Sequence, residues 1–155
     1  MDNNTENARI ESEIEVNTYL QMMKYALSHG ASLHFQVDRR IDEGRAERFT
    51  NRYTVASLFP NETPELALRR ELQSLTVEEY LRTVKDIRFP NRSEMREFGK
   101  VYPNSGDVYI KIRVELLNPN NAGGHTAFVM SFHFAEQPFE AQMFPYRKNA
   151  GGQSC

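Results

Sequence analysis

Val108 to Leu116 reads V-Y-I-K-I-R-V-E-L, and this alternation constrains the chain more than any other segment. Val108, Ile110, Ile112, Val114 and Leu116 share one parity, while Tyr109, Lys111, Arg113 and Glu115 share the other. Side chains of a strand point alternately to opposite sheet faces, so the run predicts a strand with one buried face. Its second face presents a phenol, an ammonium and a guanidinium in a row, a set suited to holding phosphate. Half-solvated antiparallel sheets also carry such residues as plain surface, so the alternation alone does not make a site.

The neighbouring segments decide what packs against that strand. Residues 1–11 read as a flexible N-terminus. Ser12 and Glu15 have capping-box spacing, and Val16, Leu20, Met23 and Leu27 follow as the apolar stripe of a helix ending at His29-Gly30. Ser32 to Val37 alternates as a short strand. Residues 38–52 are rich in charge of both signs, which predicts a solvated loop or helix face, with an RNA-contacting loop as the sharper option. Tyr53 to Phe59 is apolar enough for either a strand or a helix. Thr63-Pro64-Glu65 is a helix start, with Leu68, Leu72 and Leu75 on one face. Thr76 and Glu79 form a second capping box and predict another helix running to about Lys85, with Arg82 and Lys85 on its polar face. Strands are then expected at Met95–Tyr102, at the opening alternation, and at Ala127–Phe134, where Phe128, Met130, Phe132 and Phe134 make the apolar face. Helices followed by an antiparallel meander define an α+β fold, with a single domain over 12–147 and a disordered tail over 148–155.

The turn Asn118–Gly124 sets a register for the last two strands. If the hairpin closes symmetrically about Asn121, paired positions sum to about 242, an even sum that keeps the apolar faces together, which puts Tyr109 opposite His133 and Lys111 opposite Ser131. Cross-strand partners have Cβ atoms ~5 Å apart, so Tyr109, Lys111, Arg113, Ser131 and His133 would share one patch. A histidine titrating near neutrality beside phosphate-seeking cations is the equipment for cutting RNA without metal.

Bulk properties narrow the alternatives. The chain has 155 residues and a net charge of −2, which does not suit a generic nucleic-acid binder. Residues 1–81 carry 9 basic and 14 acidic side chains, against 10 and 7 in residues 82–155, which permits a local anion site in the second half. The single cysteine, Cys155, excludes a disulfide framework. The polar start, Met1 to Glu6, resembles neither a signal nor a transit peptide, and no apolar run would cross a bilayer, so a cytoplasmic protein without membrane contact is expected. His29, His34, His125 and His133 lack ligand spacing, so no metal is expected, and no motif implies a cofactor.

Several strings together resemble one family. Phe98-Gly99-Lys100, Gly106 to Ile112, Val129 to His133, Ala135-Glu136-Gln137-Pro138 and Phe144-Pro145-Tyr146, preceded by Leu75 to Tyr80, resemble the C-terminal half of MqsR-type toxins, in a Gram-positive-like variant. The similarity spans residues 72–147. It implies a RelE-like fold and a metal-independent mRNA endoribonuclease held inactive by a cognate antitoxin. Tyr109 matches the family's active-site tyrosine, His133 and Arg82 stand where lysines act, and Lys111 matches a basic strand position. The resemblance thus implies a catalytic set of His133, Tyr109, Lys111 and Arg82, and the neighbouring polar and basic residues Arg113, Ser131, Lys100 and Lys85 are expected to hold substrate. The acidic net charge, and the absence of the family's glutamine after Phe98, leave open a non-catalytic binding module or inhibitor acting on a protein partner.

Overall fold

The computed structural model describes residues 5–39, 44–116 and 125–148. Among these residues the chain is α+β. A strand β1 (Glu6–Arg9) precedes helix α1 (Glu13–Ser28), strand β2 (Ser32–Phe35) and helices α2 (Asn51–Leu58) and α3 (Pro64–Gln73). Strands β3 (Tyr80–Asp86), β4 (Met95–Tyr102), β5 (Gly106–Leu116) and β6 (His125–Phe134) follow. They form one six-stranded sheet in the order β1-β3-β4-β5-β6-β2. All neighbours are antiparallel except β2, which runs parallel to β6.

Helix α1 starts where its sequence says it should. The Ser12 side chain accepts from the Glu15 amide, and the Glu15 carboxylate accepts from the Ser12 amide, a reciprocal cap contributing about 1 kcal/mol. Val16, Leu20, Met23 and Leu27 are buried along its inner stripe, and Gly30 follows at φ 94°, a left-handed conformation that glycine adopts without a Cβ penalty. These side chains pack with Leu68 and Leu72 of α3 onto Phe98, Val108, Ile110, Ile112, Val129 and Phe132. The even-numbered face of β5 is therefore the core face.

Three expectations change and one open alternative is resolved. Residues Glu6–Arg9, expected to be loose, pair with Thr83–Asp86 as an edge strand. The Thr76 and Glu79 capping box forms, but it closes a single 3-10 turn, and the chain then extends as β3 rather than as a helix to Lys85. Tyr80, Thr83 and Val84 favour a pleated, buried setting. A bulge between Tyr80 and Arg82 buries both Tyr80 and Leu81 and hides the period of two. The ambiguous Tyr53 segment is helical. On β6, the register holds from Val108↔Phe134 to Lys111↔Ser131 and then shifts by one residue, so that Ile112 faces Val129. The extra residue, Met130, reverses the faces beyond it: Ala127 and Val129 are buried in the core, while Phe128 turns to the opposite face. There Phe128 stacks on His34, with ring centroids 5.4 Å apart.

The edge of β6 beyond β2 is closed by α2. Asn51 donates to the carbonyls of Gln36 and Met130 and accepts from the Phe132 amide, and Thr54 Oγ1 accepts from the Phe134 amide. These bonds satisfy strand groups that would otherwise be open to pairing, and they hold Ser131 and His133 in place. The expected turn over 118–124, and the tail from residue 149, lie outside the described residues.

Candidate functional site

The sheet face opposite the helices carries the residues that the hairpin register predicts. Tyr109 lies opposite His133 and Lys111 opposite Ser131, and on the other side of β5 the same rows continue to Gly99 and Glu97 of β4. Arg82 of β3 extends the second row, opposite Glu97. The expected wet surface is nevertheless largely covered: Glu97 is 2% exposed, Lys111 7%, Ser131 0% and His133 5%. The chain after β6 supplies part of the cover. Phe139 lies against Gly99, where a Cβ would sit 2.7 Å from its ring, so a glycine is needed at that position.

A pocket of about 340 Å³ opens on this face, lined by Tyr109, Lys111, Ser131, His133, Glu136 and Phe139 together with Arg39 and Arg45. Its size suits a small ligand or one unit of a polymer. His133 Nδ1 lies 3.0 Å from the Phe134 carbonyl oxygen. A carbonyl only accepts, so Nδ1 carries the proton and Nε2 keeps its lone pair. Nε2 is buried and has no hydrogen-bond partner among the described residues. Burial lowers the imidazole's affinity for a proton, the Phe134 hydrogen bond opposes this, and Arg45 and Arg39 lower it further. The ring is thus held neutral with an unused basic nitrogen.

Tyr109 is its neighbour, with ring centroids 5.3 Å apart. Burial and the adjacent Glu97 carboxylate push the Tyr109 phenol well above its ordinary range, so it keeps its proton. Lys111 Nζ donates to Glu6 at 2.8 Å and lies 3.8 Å from Glu97 Oε2. Arg82 Nε donates to Glu97 Oε1 at 2.8 Å. Glu6, Lys111, Glu97 and Arg82 therefore form a row of alternating charge beside the pocket. Arg39 Nη1 donates to Ser131 Oγ at 2.9 Å and to the Met130 carbonyl at 3.1 Å.

The expected substrate residues separate. Ser131 lines the pocket. Arg113 shares the face but pairs with Glu115 and lies 4.4 Å over the Phe128 ring, outside the pocket lining. Lys100 has the parity of Phe98 and faces the other way, where it donates to Ser74 at 2.9 Å and lies 3.5 Å from Glu79. Lys85 is also directed elsewhere, bonded to the Arg92 carbonyl. Arg82 sits on a strand rather than a helix, outside the pocket lining, and its hydrogen bond there is to Glu97.

Arg39, Arg45, Glu97 and Glu6 are missing from the expected set. Arg39 and Arg45 stand in the charged segment that also reads as a solvated loop, and only the density of arginines there marked it. Glu97 carries no sequence signal of its own: it reads as one more charged residue of the Met95–Tyr102 strand, and only the structure shows it buried. Among the described residues no cluster of three or more His, Cys, Asp or Glu is placed to hold a metal ion, and no helix is long and apolar enough to cross a membrane. Comparison with known protein families, curated proteins and solved structures yields no match to this chain.

Proposed function

We propose that this pocket is the active site of a metal-independent endoribonuclease of the toxin type that the sequence resembles. The observation that carries the reading is His133: a neutral imidazole, nearly inaccessible, with a lone pair that no described group uses, in a pocket walled by Arg39, Arg45 and Lys111. Burying polar groups in this way costs stability unless something offsets it, and such perturbed groups collect at functional sites.

In the proposed reaction His133 Nε2 takes the proton of a ribose 2′-hydroxyl as its oxygen bonds to the adjacent phosphorus. Tyr109 donates its proton toward the departing 5′-oxygen as the phosphorus–oxygen bond breaks. Arg39 and Arg45 stabilise the charge that gathers on the phosphorane oxygens. Lys111, already paired with Glu6 and Glu97, adds less charge than its position in the sequence suggests and orders the wall beside Tyr109. The product is a cyclic phosphate end and a free 5′-hydroxyl. Messenger RNA as substrate and a cognate antitoxin as partner follow from the sequence resemblance.

The test is incubation of the purified protein with labelled RNA in excess chelator. Cleavage leaving cyclic phosphate ends is expected, with His133→Ala slower by roughly 10²–10⁴-fold. Unchanged cutting by His133→Ala would remove the assignment. A wild-type protein that cuts no RNA and does not slow growth on expression would favour the binding-module alternative. The neutralisation of Lys111 by two carboxylates is the observation on that side.

A further inference from the structure

A second cavity, of about 580 Å³, lies between α1 and the sheet, on the opposite side from the pocket described above. Its walls are mainly apolar, built by Ile14, Met22 and Met23 of α1 and Val114 of β5. Ile14 and Met22 are 78% and 54% exposed at its rim, leaving apolar surface that the described residues do not cover.

Two polar atoms break this apolar surface. The Tyr19 hydroxyl and His125 Nε2 are both buried without a hydrogen-bond partner among the described residues, and both side chains line the cavity. Buried polar groups are nearly always satisfied, so two orphans in one apolar cavity point to a ligand that supplies their partners. Burial holds the Tyr19 phenol protonated, as a donor.

Charge selects among occupants. The cation at the wall, Arg96, is already held by Glu11 at 2.8 and 3.0 Å and lies 4.3 Å over the Tyr19 ring. Glu11 and Glu15 also line the cavity. Two carboxylates against one guanidinium disfavour an anionic head group.

We propose that this cavity binds a small, largely apolar molecule bearing one neutral hydrogen-bonding head, a hydroxyl or carbonyl, that meets Tyr19 and His125. Methionines suit such a wall because their flexible thioethers adapt to an apolar guest. The volume falls within the range of small-molecule sites.

The experiment titrates the full chain with n-decanol as probe and follows the methyl signals of Met22 and Met23 by NMR. Saturable shifts confined to these methyls and their neighbours are expected. Tyr19→Phe should weaken binding by about fivefold, the share of one hydrogen bond, with the fold retained. Thr18→Trp, at an exposed α1 position on the cavity lining, should abolish binding while leaving the thermal midpoint near wild type. Decanoate should bind at least tenfold more weakly than decanol. The proposal is overturned by non-saturable shifts, by decanoate binding as tightly as decanol, or by full binding in Thr18→Trp. Displacement of decanol by a lysine-flanked amphipathic helical peptide that binds more tightly would also overturn it, by marking the cavity as a protein-docking groove.

Discussion

Glu97→Ala probes the centre of the charged row. The change removes the acceptor of Arg82, at 2.8 Å, and one of two counter-charges of Lys111, at 3.8 Å. Breaking a buried ion pair from one side costs ~3–5 kcal/mol. Two features reduce that here. Lys111 retains Glu6 at 2.8 Å, and the Arg82 side chain is 48% exposed, so its pairing is worth no more than the ~0–1 kcal/mol of a surface bridge. A loss of about 2 kcal/mol remains, which for a chain of this size lowers the thermal midpoint by roughly 4–8 °C. Urea unfolding at neutral pH measures it, and a cycle with Lys111→Met should give a coupling of ~1 kcal/mol between the two positions. Because Lys111 and Glu97 are buried, the coupling should survive ~0.5 M salt, where the Debye length is only a few ångströms. A cost under ~0.5 kcal/mol, or a coupling that salt removes, would show that the row is surface decoration and not a buried network.

Further outcomes follow from the same geometry. Gly99→Val should destabilise by roughly 1–3 kcal/mol through its clash with Phe139 and Phe144, whereas Gly44→Ala, with open space around it, should cost little; denaturant midpoints compare them. The His133 imidazole has a lowered proton affinity in the folded chain, so its contribution to stability is present above the unfolded value near 6.5 and is lost as pH falls through the lower folded value. His133→Gln should flatten the stability profile in that window, measured by unfolding at stepped pH. Burial alone would raise the Glu11 carboxyl, but hydrogen bonds from Arg96 and Thr83 and the charges of Arg96 and Arg9 hold it below the usual carboxylate range. Its stabilisation is therefore present above the usual carboxylate value and disappears as pH falls through the folded one, and Glu11→Gln should remove that acid-range dependence. Lys100→Ala and Lys85→Ala should leave RNA cleavage within about twofold of wild type, while Arg39→Ala should slow it by at least tenfold, the effect of losing one charge-assisted contact.

The parts of the site legible in the sequence are those that local rules reach. Alternation and turn length place Tyr109 beside His133 and Lys111 beside Ser131, because parity forbids a one-residue slip as long as both strands keep their period. The period breaks at Met130, and with it the expected face of Phe128, since a bulge leaves no signature where both parities of the strand, Ala127 and Val129 as well as Phe128 and Met130, are apolar. The Tyr80–Asp86 strand was hidden for a related reason: a capping box is satisfied by one turn as well as by a helix, and a bulge at Leu81 disguised the alternation. Glu6 and Arg39 reach the site through contacts about a hundred residues apart along the chain, and Arg45 joins them from the segment after β2, beyond what local spacing can encode. Glu97 stands opposite Lys111 across the β4–β5 pair, and nothing in its spacing marks it as buried.

The disagreement between the charged row and its burial is what gives the site its meaning. A sheet face covered by Phe139 and its neighbours would be more stable lined with leucine and valine, because well-packed apolar replacements of buried ion pairs are commonly neutral or stabilising. The even-numbered face of β5 shows that this chain builds such a surface readily, with Val108, Ile110 and Ile112 fully buried. On the odd-numbered face it instead buries a lysine, a glutamate, a serine and a histidine, satisfies most of them, and leaves His133 Nε2 and Glu97 Oε2 without a hydrogen-bond partner among the described residues, Glu97 Oε2 still lying near the Lys111 charge. Stability accounts for the satisfied bonds but not for the unused nitrogen. Under the proposed function, an acceptor kept neutral by burial and by Arg39 and Arg45, with its other ring nitrogen locked to the Phe134 carbonyl, is the group that receives a proton from a substrate entering the pocket.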